Sequence, residues 1–343
     1  MKEKVERFLR ESISSKVFTG AAYAIRKGDL RITDSIGTLG ETEQNVNQET
    51  LFDMASCTKL FASLAFLRLM EEGKLALTDT VERYLPSWRE SLTGKITMFE
   101  LLTHTSMLPA HVPLWQMSRD AEGALEVIKQ LLPRKSTGVE YSCLGFILLG
   151  TVLEKVTGFP LDQVIDHYVN RPLGMDRTMY CPKKKNYNNI MPTEYCKWRN
   201  RLLIGEVHDE NAFHLGGVSA NAGIFSAITD MSRLADAILE DGKEDAGKLL
   251  HKKTISVMTK NYTAGYQENR GLGWCIKNTP DRTAGEYFSD QSFGHTGYTG
   301  TSVWIDPEYD SYAILLTNRV FYSRDVDGIR HVRQVFHNLA MLL

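Results

Sequence analysis

Phe52-Asp53-Met54-Ala55-Ser56-Cys57-Thr58-Lys59-Leu60 decides the reading of this chain, because it runs directly into an apolar stretch, Phe61 to Met70. A lysine three residues after a serine projects from the same helix face, one turn along. Serine is a poor nucleophile until a neighbour takes its proton. A buried amine that has lost its charge is able to take it. The spacing therefore predicts a nucleophile, Ser56, and a base, Lys59, at the start of a long helix, Thr58 to Glu72. There the helix dipole favours a developing anion. No other serine in the chain has a lysine at that spacing. A chain of this composition holds about one such pair by chance, so the pair needs support from elsewhere.

Two further segments supply it. Tyr141-Ser142-Cys143 precedes a helical pattern, Leu144 to Lys155. A buried phenol beside a lysine is a second candidate for accepting the serine proton, and spacing leaves the choice between Lys59 and Tyr141 open. Near the C-terminus, Gly294-His295-Thr296-Gly297-Tyr298-Thr299-Gly300 leads into a β-like run, Ser302 to Ile305.

Ser-x-x-Lys, Tyr-Ser-x and His-Thr-Gly, in that order, form the constellation of the penicillin-recognising serine hydrolases. The chain resembles the family of class C β-lactamases, D,D-peptidases and related esterases and amidases. The likeness also takes in Gly20-Ala21-Ala22-Tyr23-Ala24-Ile25 and Leu101-Leu102-Thr103-His104-Thr105-Ser106. It implies an α+β fold of the β-lactamase/D,D-peptidase type. An antiparallel sheet formed by N- and C-terminal segments is flanked by helices, a mostly helical region is inserted, and the active site lies in the cleft between. It implies that Tyr141 acts as general base in acylation and deacylation. It implies an oxyanion hole from the backbone N–H groups of Ser56 and Tyr298, usually the largest catalytic contribution. Cys143, His295, Thr296 and Gly297 would meet the substrate.

Two positions depart from the family pattern. Cys143 stands where the β-lactamases and D,D-peptidases carry asparagine, and a thiol is a weak donor and a weak acceptor. His295 stands in place of a lysine. Near neutral at pH 7, it offers a hydrogen bond without a fixed charge. Both predict that β-lactams act as slow acylators at most. Gly297 is expected to let the strand approach the substrate, and His104 to hold a turn.

Gly205 to Ala212 and Leu215 to Ser226 resemble the subgroup that includes bacterial N-acetylmuramyl-L-alanine amidases. That subgroup has Gly-His-Ala-Gly where this chain has Ala220-Asn221-Ala222-Gly223. His208 and Asp209, with Glu210, Asn211, Gly216 and Gly217, are expected to line the cleft opposite His295 and grip a peptide or hydroxylated substrate. Adjacent residues on one loop do not converge on one ion, so neither a metal nor a cofactor is expected.

The 343 residues are 43% hydrophobic and 24% charged, with a net charge of −2. These values are those of an ordinary soluble globular chain and suggest no nucleic-acid partner, and the resemblance implies a small-molecule substrate. The apolar runs are too short for a membrane span. Five scattered cysteines without Cys-x-x-Cys spacing, and a charged N-terminus, point to the cytoplasm. A secreted or periplasmic location would follow if a leader were removed. Strand-like runs at both ends and helices between predict a single domain over 1–343. Its α/β part would be about 1–57 and 245–343, and its mostly helical part about 58–244. The expected activity is hydrolysis of an amide or ester through a Ser56 acyl-enzyme, with a cell-wall-derived muramyl peptide as the first substrate class. The alternatives are a promiscuous carboxylesterase, a weak β-lactamase, and a binder or sensor that stays acylated.

Overall fold

Hairpins from opposite ends of the chain build the main sheet. The computed structural model describes residues 2–134, 136–243, 248–277 and 284–343. Its strands are β1 (Gly20–Lys27), β2 (Leu30–Gly37), β3 (Phe52–Asp53), β4 (Met179–Tyr180), β5 (Tyr195–Cys196), β6 (Arg201–Leu202), β7 (Ile224–Ser226), β8 (Cys275–Ile276), β9 (Phe293–Thr296), β10 (Ser302–Asp306) and β11 (Ser311–Thr317). The large sheet has the order β2-β1-β11-β10-β9-β8. Every pairing in it is antiparallel, and β1 joins β11 with Ala21 opposite Thr317 and Lys27 opposite Ser311.

Side chains alternate across the strands, so the sheet has two apolar faces. Tyr23, Ile25 and Leu315 face helices α1 (Lys2–Ser14) and α5 (Asp327–Met341), where Val5, Leu9, Val332 and Phe336 are buried. Ala22, Ala24, Ile314 and Leu316 face the larger core. That core is built on α2 (Thr58–Glu71) and α3 (Cys143–Thr157). Leu60, Phe61, Leu64, Ala65, Phe66 and Leu67 are all buried, so α2 is apolar around its whole circumference and runs through the interior.

Helix α4 (Ile228–Asp241) lies in the stretch expected to be part of the helical region, yet it packs on the sheet. Arg26 of β1 donates to Asp236 of α4 at 2.7 Å, and the Tyr312 hydroxyl of β11 donates to the same carboxylate at 3.4 Å. The expected boundary at 244–245 falls outside the described residues. A second sheet, β3-β7-β4, ties the nucleophile's segment to the inserted region. After α3 the chain is α-helical over Leu161–Ile165, then widens into a π turn, Asp166–Asn170. Among the described residues no single helix is long and apolar enough to cross a membrane. A pair bent by 79°, Cys143–Thr157 with Leu161–Leu173, passes that test by length and composition alone.

Candidate active site

Ser56 sits at the start of α2 as expected, in a short 3-10 helix, Ala55–Cys57, that leads into it. Ala55 has a φ of 45°, a left-handed conformation that costs a non-glycine residue about 1–3 kcal/mol. Its surroundings hold it there. Asp53 is buried and accepts the Ala55 N–H at 2.8 Å and the His208 N–H at 2.7 Å. The Thr299 hydroxyl donates to Asp53 O at 2.7 Å, and that of Thr301 donates to Met54 O at 3.2 Å. Burial pushes the Asp53 carboxyl up from its ordinary value, and the two N–H groups offset part of that shift.

Gly297 has a second task besides the one expected. A Cβ there would lie 2.1 Å from Thr301 Oγ1 and 2.6 Å from Met54 O. The missing side chain lets the β9–β10 turn press against the nucleophile's own turn. The next residue, Tyr298, thereby carries its backbone to the mouth of the cleft. Among the described residues, neither the Ser56 N–H nor the Tyr298 N–H is paired with a backbone acceptor.

Lys59 is fully buried. Its Nζ donates to Ser56 Oγ at 3.2 Å and to Asn221 O at 3.0 Å, and lies 3.6 Å from Cys143 Sγ. It also lies 5.0 Å from the centre of the Tyr141 ring. Burial opposes its charged form, hydrogen bonding to Tyr141 and the Asp209 carboxylate favour it, and its pKa is raised above the ordinary lysine value. Burial also raises the Tyr141 phenol, while Lys59 and a hydrogen bond with Ser56 pull the other way. At neutral pH the resting site thus holds an ammonium and a phenol, whereas the motif alone suggests a neutral amine. Burial raises the Cys143 thiol too, so it stays protonated beside Lys59.

His295 is buried, and its Nδ1 lies 2.8 Å from Thr296 O. A carbonyl only accepts, so Nδ1 carries the hydrogen and Nε2 is an acceptor. Nε2 has no partner among the described residues. The sequence suggests a donor at this position, and the geometry gives an acceptor. Burial, then Arg270 and Lys59, push its pKa well below the ordinary value, so the ring is neutral. His104 does hold a turn. Its Nδ1 accepts the Ser142 N–H at 3.1 Å, its own carbonyl accepts the Glu140 N–H at 2.9 Å, and its ring lies 4.5 Å from that of Tyr141. It therefore fixes the catalytic candidate Tyr141 from behind.

A cavity of about 310 Å³ opens beside Ser56 and is lined by Tyr141, Arg270, His295, Thr296, Gly297 and Tyr298, among others. Cys143 lies off it, against Lys59. Arg270 stacks 5.2 Å from the Tyr141 ring and is paired with Glu268. The 208–211 loop lies next to this site, and most of its polar atoms are engaged by protein. His208 Nε2 is 3.2 Å from Glu194, and its ring packs 5.6 Å from that of Tyr298. Asp209 caps the short helix Glu210–His214 through the Ala212 N–H at 2.8 Å, and also accepts from Asn221. Glu210 pairs with Arg324, and Asn211 bridges Leu114 N and Val112 O. Pointing at separate partners, these residues form no ion-binding cluster. Gly216 and Gly217 lie against Cys181, where a Cβ on Gly217 would come within 2.7 Å of Sγ.

Sequence reading missed Asp53, Arg270 and the Asn221 carbonyl. Asp53 had a signal, an acidic residue in an apolar strand just before the nucleophile. Arg270 lies on a loop distant in sequence and had none.

Sheet, helical layer and Ser-x-x-Lys cleft together define a serine hydrolase of the β-lactamase-like fold. The Beta-lactamase family model matches residues 5–336, and the chain belongs to that family. A putative D-alanyl-D-alanine carboxypeptidase of Escherichia coli (strain K12) is 34% identical over 304 residues, covering 79% of this chain and 69% of that protein. An N-acetylmuramyl-L-alanine amidase of Bacillus subtilis (strain 168) is 32% identical over 308 residues, covering 79% of this chain and 68% of that one. In fold, the chain is similar to an octameric penicillin-binding protein homologue from Pyrococcus abyssi, with a TM-score of 0.78 at 22% identity over 99% of this chain and 77% of the other.

Proposed function

We propose that this enzyme hydrolyses an amide or ester through an acyl-enzyme on Ser56, with a muramyl peptide as its natural substrate class. The observation that carries the mechanism is the Lys59 Nζ at 3.2 Å from Ser56 Oγ, beside Tyr141 and at the edge of the cavity. Ser56 Oγ attacks the substrate carbonyl carbon as its proton passes to the Tyr141–Lys59 couple. The reactive form of that couple has lost one proton and keeps one positive charge. Its phenolate, stabilised by the ammonium, is the base. The oxyanion is held between the Ser56 and Tyr298 N–H groups. The leaving amine or alkoxide takes the proton back and departs. Water, activated by the same couple, then cleaves the acyl-enzyme.

The amidase relative supports the muramyl-peptide reading. A neutral His295 with a bare Nε2 supports it too, since an acceptor suits a substrate N–H or O–H better than a carboxylate. The same features, with a thiol at Cys143, favour a second reading as a carboxylesterase with broad acyl tolerance. Turnover of N-acetylmuramyl-L-alanine-containing peptides against a panel of small aryl esters separates the two. A kcat/KM for the muramyl peptide at least tenfold above that of any ester supports the first reading, and no measurable cleavage of the peptide refutes it.

A further inference from the structure

The closing helix α5 presents an apolar stripe to the sheet, Ile329, Val332, Phe336 and Ala340, and one charged residue shares this buried face. Arg333 is only 6% exposed. One guanidinium nitrogen, Nη2, donates to Gly297 O at 2.6 Å and to Thr301 O at 2.9 Å. Burying a guanidinium is costly unless its hydrogen bonds repay it, and a neutral side chain would suffice to fill the space.

The Gly297 carbonyl and the Tyr298 N–H belong to the same peptide unit. Its C–N bond has partial double-bond character, so charge withdrawn at the oxygen is felt at the nitrogen. The oxygen accepts from the Gly300 N–H at 3.0 Å as well as from Arg333. Charge-assisted hydrogen bonds are short and about twice as strong as neutral ones. Bonds in such chains strengthen one another in a low-dielectric interior.

We propose that Arg333 is a positioning residue that polarises the Gly297–Tyr298 peptide, making the Tyr298 N–H a stronger donor to the oxyanion. This rests on the acyl-enzyme reading of the site. Arg319 provides an internal contrast. Its Nε donates to Tyr298 O at 2.8 Å, the carbonyl of the following peptide. Arg319 therefore fixes the turn without polarising the N–H that receives the oxyanion.

The test uses the full chain with Arg333→Gln and Arg333→Lys, a small aryl ester, and an aryl boronic acid that mimics the tetrahedral intermediate. Arg333→Gln should lower kcat by about tenfold or more, a fraction of the ~10²–10³ lost when an oxyanion donor is removed outright. KM should stay within about twofold, and boronate affinity should fall by the same factor as kcat. Arg333→Lys keeps the charge and should recover most of the loss in both readouts. Equal losses in the two variants, or a kcat loss without a matching loss of boronate affinity, would reduce Arg333 to a structural role. Unchanged kcat in Arg333→Gln would overturn the proposal outright. Should Arg333→Gln fail to fold, Arg333→Lys carries the test: kcat and boronate affinity should both stay within about threefold of wild type at constant KM, and a tenfold loss of either overturns it. Fluorophosphonate labelling of wild type and Ser56→Ala is run alongside. Labelling that ignores Ser56 defeats the acyl-enzyme reading, whereas normal Ser56 labelling with an indifferent Arg333 defeats only this inference.

Discussion

Replacing Gly297 with alanine adds one methyl group at the tightest contact of the site. That carbon would stand 2.1 Å from Thr301 Oγ1 and 2.6 Å from Met54 O. Neither neighbour yields easily. Thr301 Oγ1 is bound to Met54 O and lies 3.6 Å from Cys57 Sγ, and Met54 O is backbone of the nucleophile's own turn. Reaching ordinary contact, near 3.5 Å, requires the two turns to part by about 1 Å. That displacement takes the Tyr298 N–H out of range of the oxyanion, and losing one such donor costs about 10²–10³ in kcat. Overpacking a tight site costs about 1–3 kcal/mol of stability besides. Steady-state kinetics on an aryl ester should therefore show kcat down at least ~100-fold with KM little changed, alongside a lower Tm. Gly28→Ala is the control. It too strains a turn, with φ at 56° and open space around it, but far from the cleft, so it should lose stability and keep its kcat. A Gly297→Ala enzyme within threefold of the wild-type kcat would refute the reasoning.

Other outcomes follow from the same geometry. Because Lys59 and Tyr141 are both raised, the reactive couple loses its proton on the alkaline side, so kcat/KM should climb by up to about tenfold per pH unit above pH 7. A bell with a limb near pH 6.5 would contradict the neutral state assigned to His295. Tyr141→Phe and Lys59→Ala should each cost at least ~100-fold in kcat/KM, since positioned proton transfer contributes ~10²–10⁴-fold. The double variant Cys143→Asn/His295→Lys should acylate with penicillin faster than wild type, read by intact-mass spectrometry; no gain would show that these two side chains do not set β-lactam reactivity. Burial alone would raise Glu194, but His208 and Arg324 hold it at about 2. A depressed carboxylate contributes stability that is present above its ordinary pKa, about 4.3, and is lost as pH falls through the folded value. Wild-type Tm should therefore drop between about pH 4.5 and 2. Glu194→Gln should start lower at pH 7 and lose less in that window, and parallel curves would count against the assignment.

Much of this site is legible in the sequence because it is written in short motifs. Ser56, Lys59, Tyr141 and His295 each sit in a segment whose order along the chain carries information, and the terminal strands announce themselves by length and turn chemistry. The rest depends on partners remote in sequence. Nothing near His208 foretells that Glu194 takes its ring, or that Asp209 spends its carboxylate on a helix cap and Asn221. Polar residues beside glycines look like a substrate grip until their partners are known. The β3-β7-β4 sheet is built from strands of two or three residues, too short for periodicity to register. The protonation states escape the motif as well, because the groups that set the Lys59 charge come from two segments remote in sequence, 141–143 and Asp209. Arg333 did leave a trace: a charge on the apolar stripe of the last helix is what a buried functional group looks like in sequence.

The central claim is that Ser56 carries the acyl group. The most direct measurement is peptide-level mass spectrometry of the enzyme quenched during turnover of a slowly deacylating ester, with Ser56→Ala treated identically. The predicted result is one acyl adduct, on the peptide containing Ser56, absent from the variant, with hydrolysis lost in parallel. An adduct on another residue, or a Ser56→Ala enzyme that is still acylated and still turns over, would contradict the account.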